Sequence, residues 1–278
     1  MARSSVPEAD AVLDKEFPVL NHGFVRLVDY MGGDQRIVQA ARVSYGEGTK
    51  SYRQDKGLIS YLLRNEHTSP FEQVVLTFHL KMPIFVARQW IRHRTARLNE
   101  ISGRYSILKD EFYIPAPEDV AAQSEDNKQG RLNEALPARE AESVRRLLAE
   151  GQERAYREYT GLIESGIARE LARVNLPLSL YTEWYWQMDL HNLFHFLRLR
   201  LDPHAQREIR LYAETVMELT EKVAPIACEA FRSYVRGSVR FSAEELEALR
   251  RMTRGEDHGL TGRAAELFLS RLEKGSEV

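Results

Sequence analysis

The chain has 278 residues, 43% hydrophobic and 29% charged, and its 41 acidic residues nearly balance 39 basic ones for a formal net charge of −2. That composition excludes a disordered chain, and the near balance excludes a general electrostatic attraction to nucleic acid or to an anionic membrane. A binding site for an anion would have to be local.

The leader MARSSVPEADAVLDKEF carries acidic residues and no apolar run, so it lacks signal-peptide character. No stretch approaches the roughly 18 apolar residues of a membrane span, and a cytoplasmic protein with no membrane partner is expected. Residues 24–30 (FVRLVDY) alternate as a strand, and Asp34 stands where it would cap a helix running through AARV. A second helix is predicted over 52–63, and NEHTSPFE then breaks regular structure at Pro70.

The clearest strand is VVLTFHLKM, in which Val74, Leu76, Phe78, Leu80 and Met82 alternate with Val75, Thr77, His79 and Lys81. His79 falls on the polar face, where a solvated or hydrogen-bonded role is expected. Pro83 suits the first turn of the next helix, IFVARQWIRHR, predicted to end on Arg92, His93 and Arg94 at the negative end of its dipole.

Residues 116–139 are polar and read as a long loop or insertion. A long helix follows over 140–164, a short one before Pro177, and an aromatic-rich strand in LSLYTEWYWQM. DLHNLFHFLRLR is a helix, Asp202-Pro203 starts another reaching Val223, and a last core helix carries Cys228 and Phe231. As the single cysteine, Cys228 permits no intramolecular disulfide, and its apolar neighbours make it a core residue rather than a nucleophile. From about 240 the chain looks like an appended helical tail, with Ser242 and Glu245 at capping-box spacing. Nothing demands a domain boundary, so a single domain over 1–278 is expected.

Three clusters carry possible chemistry. RHRTARLNEISGRYS (92–106) concentrates arginines with a histidine, a glutamate and a serine, and Gly103 permits close backbone approach. Two readings stand here: a phosphate site built from arginine forks and backbone amides, or a salt-bridged helix end. In DLHNLFHFLRLRLDPHAQ, Asp189 caps the helix, and His191, His195 and Arg198 share one face. Arg200 lies close to the apolar face, where it needs a polar or anionic partner. His191 and His195 have the spacing of a zinc pair, but no third ligand accompanies them, so no metal is expected. NEHTSPFE offers His67 and Ser69 on a proline turn, a pattern that a plain surface turn shares.

RHR followed after seven residues by Ser102 and then Gly-Arg-Tyr, with HTSPFE upstream and LRLDPHAQ downstream, resembles the flavin-dependent thymidylate synthases over residues 26–234. The resemblance implies an α+β fold with an antiparallel sheet packed against helices, and a homotetramer with active sites shared between subunits. It implies reductive methylation of dUMP to dTMP, with methylenetetrahydrofolate as carbon donor and NADPH-reduced FAD as hydride source, without an enzyme nucleophile. Carried over by position, Ser69, Arg92, His93, Arg94, Glu100, Asp189, His191 and His195 would contact FAD. Gln89, Trp90, Ile91, Arg92, Glu100, Ile101, Ser102, Gly103, Arg104, Arg173 and Arg200 would hold dUMP, with Arg200 the catalytic cation against the uracil. His67 would face the folate. The chain departs from the common pattern at Arg97, where many members carry Ser, and at Asp189, His191 and His195, where many carry Asn, Arg and Asn. A capping role for Asp189 follows as an alternative to flavin contact. Against this, the same arginines could serve a nucleotide- or RNA-binding protein or a purely structural oligomer, although no RNA-binding aromatic motif is present.

Overall fold

The computed structural model describes residues 5–43, 52–125 and 129–274. Its centre is a five-stranded antiparallel sheet of β1 (Glu16–Val19), β2 (Gly23–Met31), β3 (Val75–Pro83), β4 (Arg97–Glu100) and β7 (Tyr181–Asp189), in the order β1-β2-β3-β7-β4. The alternation in β3 sets which face is buried: Leu76, Phe78, Leu80 and Met82 are fully inaccessible. On the other face His79 stacks on its cross-strand partner Tyr185 at 4.7 Å and meets Arg26 at 2.9 Å and Glu183 at 3.3 Å. His79 is thus a hydrogen-bonded strand residue, its pKa lowered by burial and by the Arg26 charge.

Helices α1 (Pro7–Asp10), α2 (Asp34–Arg42), α3 (Tyr52–Arg64), α4 (Ile84–Trp90), α7 (Leu190–Arg200), α8 (Arg207–Val223) and α9 (Pro225–Phe231) cover the apolar face. The core is aromatic where it underlies the charged segment. Trp90 packs against Phe196 at 4.5 Å, Trp186 at 5.3 Å, Tyr212 at 6.2 Å and Trp184 at 6.3 Å. Truncating one such ring costs about 3–5 kcal/mol, so this cluster is a rigid floor. The fold is α+β, as the resemblance implied.

Local rules failed at identifiable points. β1 lies before residue 24, where no element was predicted; it is a four-residue edge strand that tolerates Pro18 because an edge amide need not enter the ladder. Asp34 begins α2 but does not cap it. Its carboxylate accepts the amides of Ile226 (2.8 Å) and Ala227 (2.9 Å), capping the first turn of α9, and burial raises its pKa. Helix α4 stops at Trp90, so Arg92, His93 and Arg94 form a turn beyond the helix instead of its last turn. The insertion holds a two-stranded hairpin, β5 (Ala121–Gln123) and β6 (Arg131–Ala135), followed directly by α5 (Ala138–Glu164) and α6 (Arg169–Ala172). Helix α8 starts at Arg207, because Asp202 instead folds the preceding turn by accepting the His204 amide at 2.8 Å.

The tail forms α10 (Ala243–Thr253) and α11 (Gly262–Lys274), with Ser242 and Glu245 closing a reciprocal capping box. Phe268 is fully buried against Phe241 and His258. Among the described residues no helix is long and apolar enough to cross a membrane.

Candidate active site

The site grows from three backbone events. Helix α4 unwinds after Trp90, and the His93 amide closes the turn on the Trp90 carbonyl at 3.0 Å. The chain then pairs with β7 as strand β4, matching Leu98 to Trp186 and Glu100 to Trp184. Finally the Ile101 amide bonds the Glu183 carbonyl at 2.9 Å, and Ser102–Ser106 turn back on themselves. What looked like an irregular charged stretch is therefore pinned at both ends.

Of the three consecutive basic residues, His93 turns toward the protein while Arg92 and Arg94 stay exposed. The His93 ring meets Phe196 edge-on at 4.9 Å and lies 6.1 Å from His195. Burial, then Arg200 and His195, lower its pKa to about 4, so at neutral pH the ring is uncharged. Its Nε2 accepts from Arg200 Nε at 3.0 Å, which places the ring proton on Nδ1. Arg200 also donates from Nη2 to the Gln89 carbonyl at 3.1 Å, and burial lowers its pKa. The half-buried Arg200 guanidinium thus has two neutral acceptors and, among the described residues, no carboxylate.

Helix α7 delivers that arginine. Its Asp189 cap accepts from the Asn192 amide at 3.0 Å and side chain at 2.7 Å, and Leu190, Leu193, Phe194, Phe196 and Leu197 bury its apolar face. Asp189 therefore has the capping role its sequence position allowed. His191 is half-buried and His195 exposed on the same helix. Among the described residues no group of three or more metal-ligating side chains forms around them.

Gly103 is buried because Arg173 crosses it. A Cβ there would sit 3.1 Å from Arg173 Cδ and 3.0 Å from Leu108 Cδ1. Arg104 is ion-paired to Glu170 at 3.0 Å, and Ser102 Oγ accepts the Arg104 amide at 3.3 Å. Glu100 accepts from Thr182 Oγ1 at 2.6 Å. Ile91 and Ile101 are exposed. Trp90 is not a ligand residue: the whole residue is 0% exposed, its ring lying in the aromatic floor and its carbonyl accepting from the His93 amide.

His67 and Ser69 lie on the exposed turn before β3, which Phe71 anchors by packing on Phe194 of α7 at 6.4 Å. No contact joins them to the arginine turn within the described residues of one chain. Sequence reasoning singled out no role for Gln206, whose Oε1 accepts from Gln89 Nε2. Its only signal was its place ahead of an amphipathic helix in LRLDPHAQ.

These residues fit a phosphorylated ligand. Arg92 and Arg94 are exposed without ion pairs to described residues, Arg173 is aligned over a glycine, and Arg200 is held without a counter-charge. Of these, Arg200 is half-buried, and a half-buried guanidinium without a counter-charge favours an anion beside it.

The comparisons agree with that chemistry. Residues 26–226 match the Thymidylate synthase complementing protein family, and residues 239–278 match the Thymidylate synthase ThyX C-terminal domain. A flavin-dependent thymidylate synthase of Treponema denticola is 65% identical over 96% of this chain and 100% of its own length. That of Treponema pallidum is 55% identical over 99% of this chain and 90% of its own. A UMP/dUMP methylase PolB from Streptomyces cacaoi, crystallised with 5-Br dUMP, superposes with a TM-score of 0.72 at 35% identity, covering 79% of this chain and 99% of that one. These matches define the class, a flavin-dependent methyltransferase acting on a pyrimidine nucleotide. The chain belongs to the flavin-dependent thymidylate synthase family, whose reaction is the methylation of dUMP.

Proposed function

We propose that the enzyme takes its methylene carbon from methylenetetrahydrofolate and its electrons from NADPH through FAD, in a cytoplasmic homotetramer whose active sites are shared between subunits. The observation that carries the site assignment is Arg200, a half-buried cation fixed by a backbone carbonyl and a neutral histidine, with no carboxylate among the described residues. A cation held this way is preorganised for negative charge on a bound ring and needs no reorganisation when that charge develops. It favours the N3-deprotonated uracil and so polarises the ring for attack. His93 keeps Arg200 in place only while neutral.

FAD, when bound, supplies the hydride from its N5. The residues that would hold it are Arg92, His93, Arg94, Glu100, His191 and His195 from one chain, with Ser69 from a neighbour. Asp189 acts there by capping the helix that carries the two histidines. Gln89, Ile91, Glu100, Ile101, Ser102, Gly103, Arg104, Arg173 and Arg200 would hold dUMP, the arginines and amides taking its phosphate. His67 would face the folate. Apolar groups support assembly around this site: Tyr105 is 78% and Val174 76% exposed, and Leu98, Ile101, Leu171 and Leu178 are exposed nearby in sequence.

Purified protein is expected to be yellow and, with NADPH and methylenetetrahydrofolate, to release tritium from dUMP labelled at C5. Protein that stays colourless and gains no flavin spectrum on adding FAD would refute the assignment.

A further inference from the structure

The turn that carries His67 grows out of α3, and the far end of the chain touches it. Helix α3 closes with the His67 amide on the Leu62 carbonyl at 2.9 Å and the Glu66 amide on the Leu63 carbonyl at 3.2 Å. That closure puts Glu66 in the left-handed region at φ 57°, where a Cβ is disfavoured and glycine or asparagine is the ordinary occupant. Here the occupant is a glutamate, and its Oε1 accepts from Arg240 Nη2 at 2.7 Å. A second contact runs beside the first: Arg64 Cζ lies 5.9 Å from the centre of the Tyr234 ring. On the helix itself the His67 ring meets Tyr61 edge-on at 5.7 Å, so α3 sets both the backbone and the ring of His67.

Arg240 does not belong to a loose end. The next residue, Phe241, packs at 6.1 Å on Phe268 of α11, which is fully buried, and Glu245 of α10 pairs with Arg271 of α11. Both tail helices thus fold around the residue that follows the arginine. With side chains 76% and 74% exposed, the Arg240–Glu66 pair adds little to overall stability. Its consequence is positional, because it ties the tail to the residue directly before His67.

We propose that Arg240 is a positioning residue for the carbon donor: presented by the folded tail, it holds the C-terminal end of α3 and, through it, the His67 ring against the folate. The inference rests on the reading of His67 as a folate-side residue. It gives the C-terminal domain a task in the reaction. The nucleotide side is built on α4, β4 and α7, so the brace bears on the folate rather than on dUMP.

The test measures tetrahydrofolate affinity by calorimetry on the full-length enzyme loaded with FAD and dUMP, with dUMP affinity and thermal melting alongside. Arg240→Glu sets like charges against each other and is expected to weaken tetrahydrofolate binding about fivefold, the upper range for an exposed ion pair, with dUMP affinity changed less than about twofold. Arg240→Lys keeps the charge and should stay within about twofold of wild type. Adding Glu66→Lys to Arg240→Glu restores the pair with its charges exchanged, and tetrahydrofolate affinity should recover. Glu66→Asn removes the charge but keeps a side chain that tolerates left-handed backbone, so affinity should fall about threefold with no drop in melting temperature. Unchanged tetrahydrofolate affinity in Arg240→Glu, no recovery on charge exchange, or an equal loss of dUMP affinity would overturn the inference. His67→Ala is the reference: it should weaken tetrahydrofolate binding and make Arg240→Glu silent in its background. Should His67→Ala bind tetrahydrofolate as wild type does, the reading of His67 fails and the brace with it; a large loss there beside a silent Arg240→Glu overturns the brace alone.

Discussion

Two clusters of arginine lie on either side of Gln206, and they differ in what answers their charge. Beside the insertion, Arg131 meets Glu208 at 2.9 Å and Arg207 pairs with Asp119, so the cluster is neutral and closed on itself. Around the turn after α4, neither Arg92, Arg94, Arg173 nor Arg200 has a carboxylate partner among the described residues; Arg104, paired with Glu170, is the exception. Composition does not separate the two clusters. Placement of carboxylates does: a compensated cluster holds the fold, whereas an uncompensated one stores attraction for an anion that arrives later.

The comparison breaks most sharply at Arg200. Arg200→Ala is expected to lower methylation by at least about 100-fold, the range seen when one preorganised charge donor is removed from a reacting centre. FAD should still bind, because Arg92 and Arg94 remain. Tritium release and the flavin spectrum measure the two effects separately, and unchanged turnover would take Arg200 out of the mechanism. Acid should imitate the mutation. His93 has its pKa lowered to about 4, so its folded-state preference for the neutral form is complete above the ordinary histidine range and is lost as pH falls toward 4. Its protonated ring cannot accept from Arg200.

How much of this was legible depended on distance along the chain. Strand β3 was readable because burial of one face writes a period of two into the residues themselves, β7 because aromatic residues favour strands, and Asp189 because a cap acts within three residues. The end of α4 was not: no glycine or proline follows Trp90, and the chain leaves the helix to pair Leu98 with Trp186, a partner 88 positions away. Asp34 shows the same limit, for local rules recognised a cap but could not say that the helix it serves begins at Pro225. At the site, the arginines could be named from sequence. Whether they were paired could not, since that depends on carboxylates from other elements, and the polar insertion turned out to supply the closed cluster's Asp119 and Arg131.

The closed cluster should respond in stability rather than in chemistry. Arg131→Met leaves the Glu208 carboxylate buried with only Tyr113 as a donor to Oε1, and it is expected to destabilise the protein by about 2 kcal/mol. That value lies below the usual cost of breaking a fully buried pair because the Arg131 side chain is 30% exposed. Denaturant unfolding measures it, and flavin content of the folded protein should not change. A loss of flavin without a loss of stability would merge the two clusters into one functional site.

The smallest effect is expected where the open cluster meets the backbone. Gly103→Ala places a methyl group 3.1 Å from Arg173 Cδ, 3.3 Å from its Nη1 and 3.0 Å from Leu108 Cδ1. Each of these contacts is tight, but all three are to side-chain atoms that can move by a few tenths of an ångström. The fold should therefore survive, with a melting temperature within about 2 °C of wild type. Displacing a guanidinium from its preferred line weakens a charge-assisted contact without removing it. The Michaelis constant for dUMP should accordingly rise about threefold at an unchanged turnover number, the pattern of a lost uniform binding interaction. If turnover fell instead, Arg173 would be acting on the reacting ring rather than on the phosphate, and the open cluster would contain two catalytic cations instead of one.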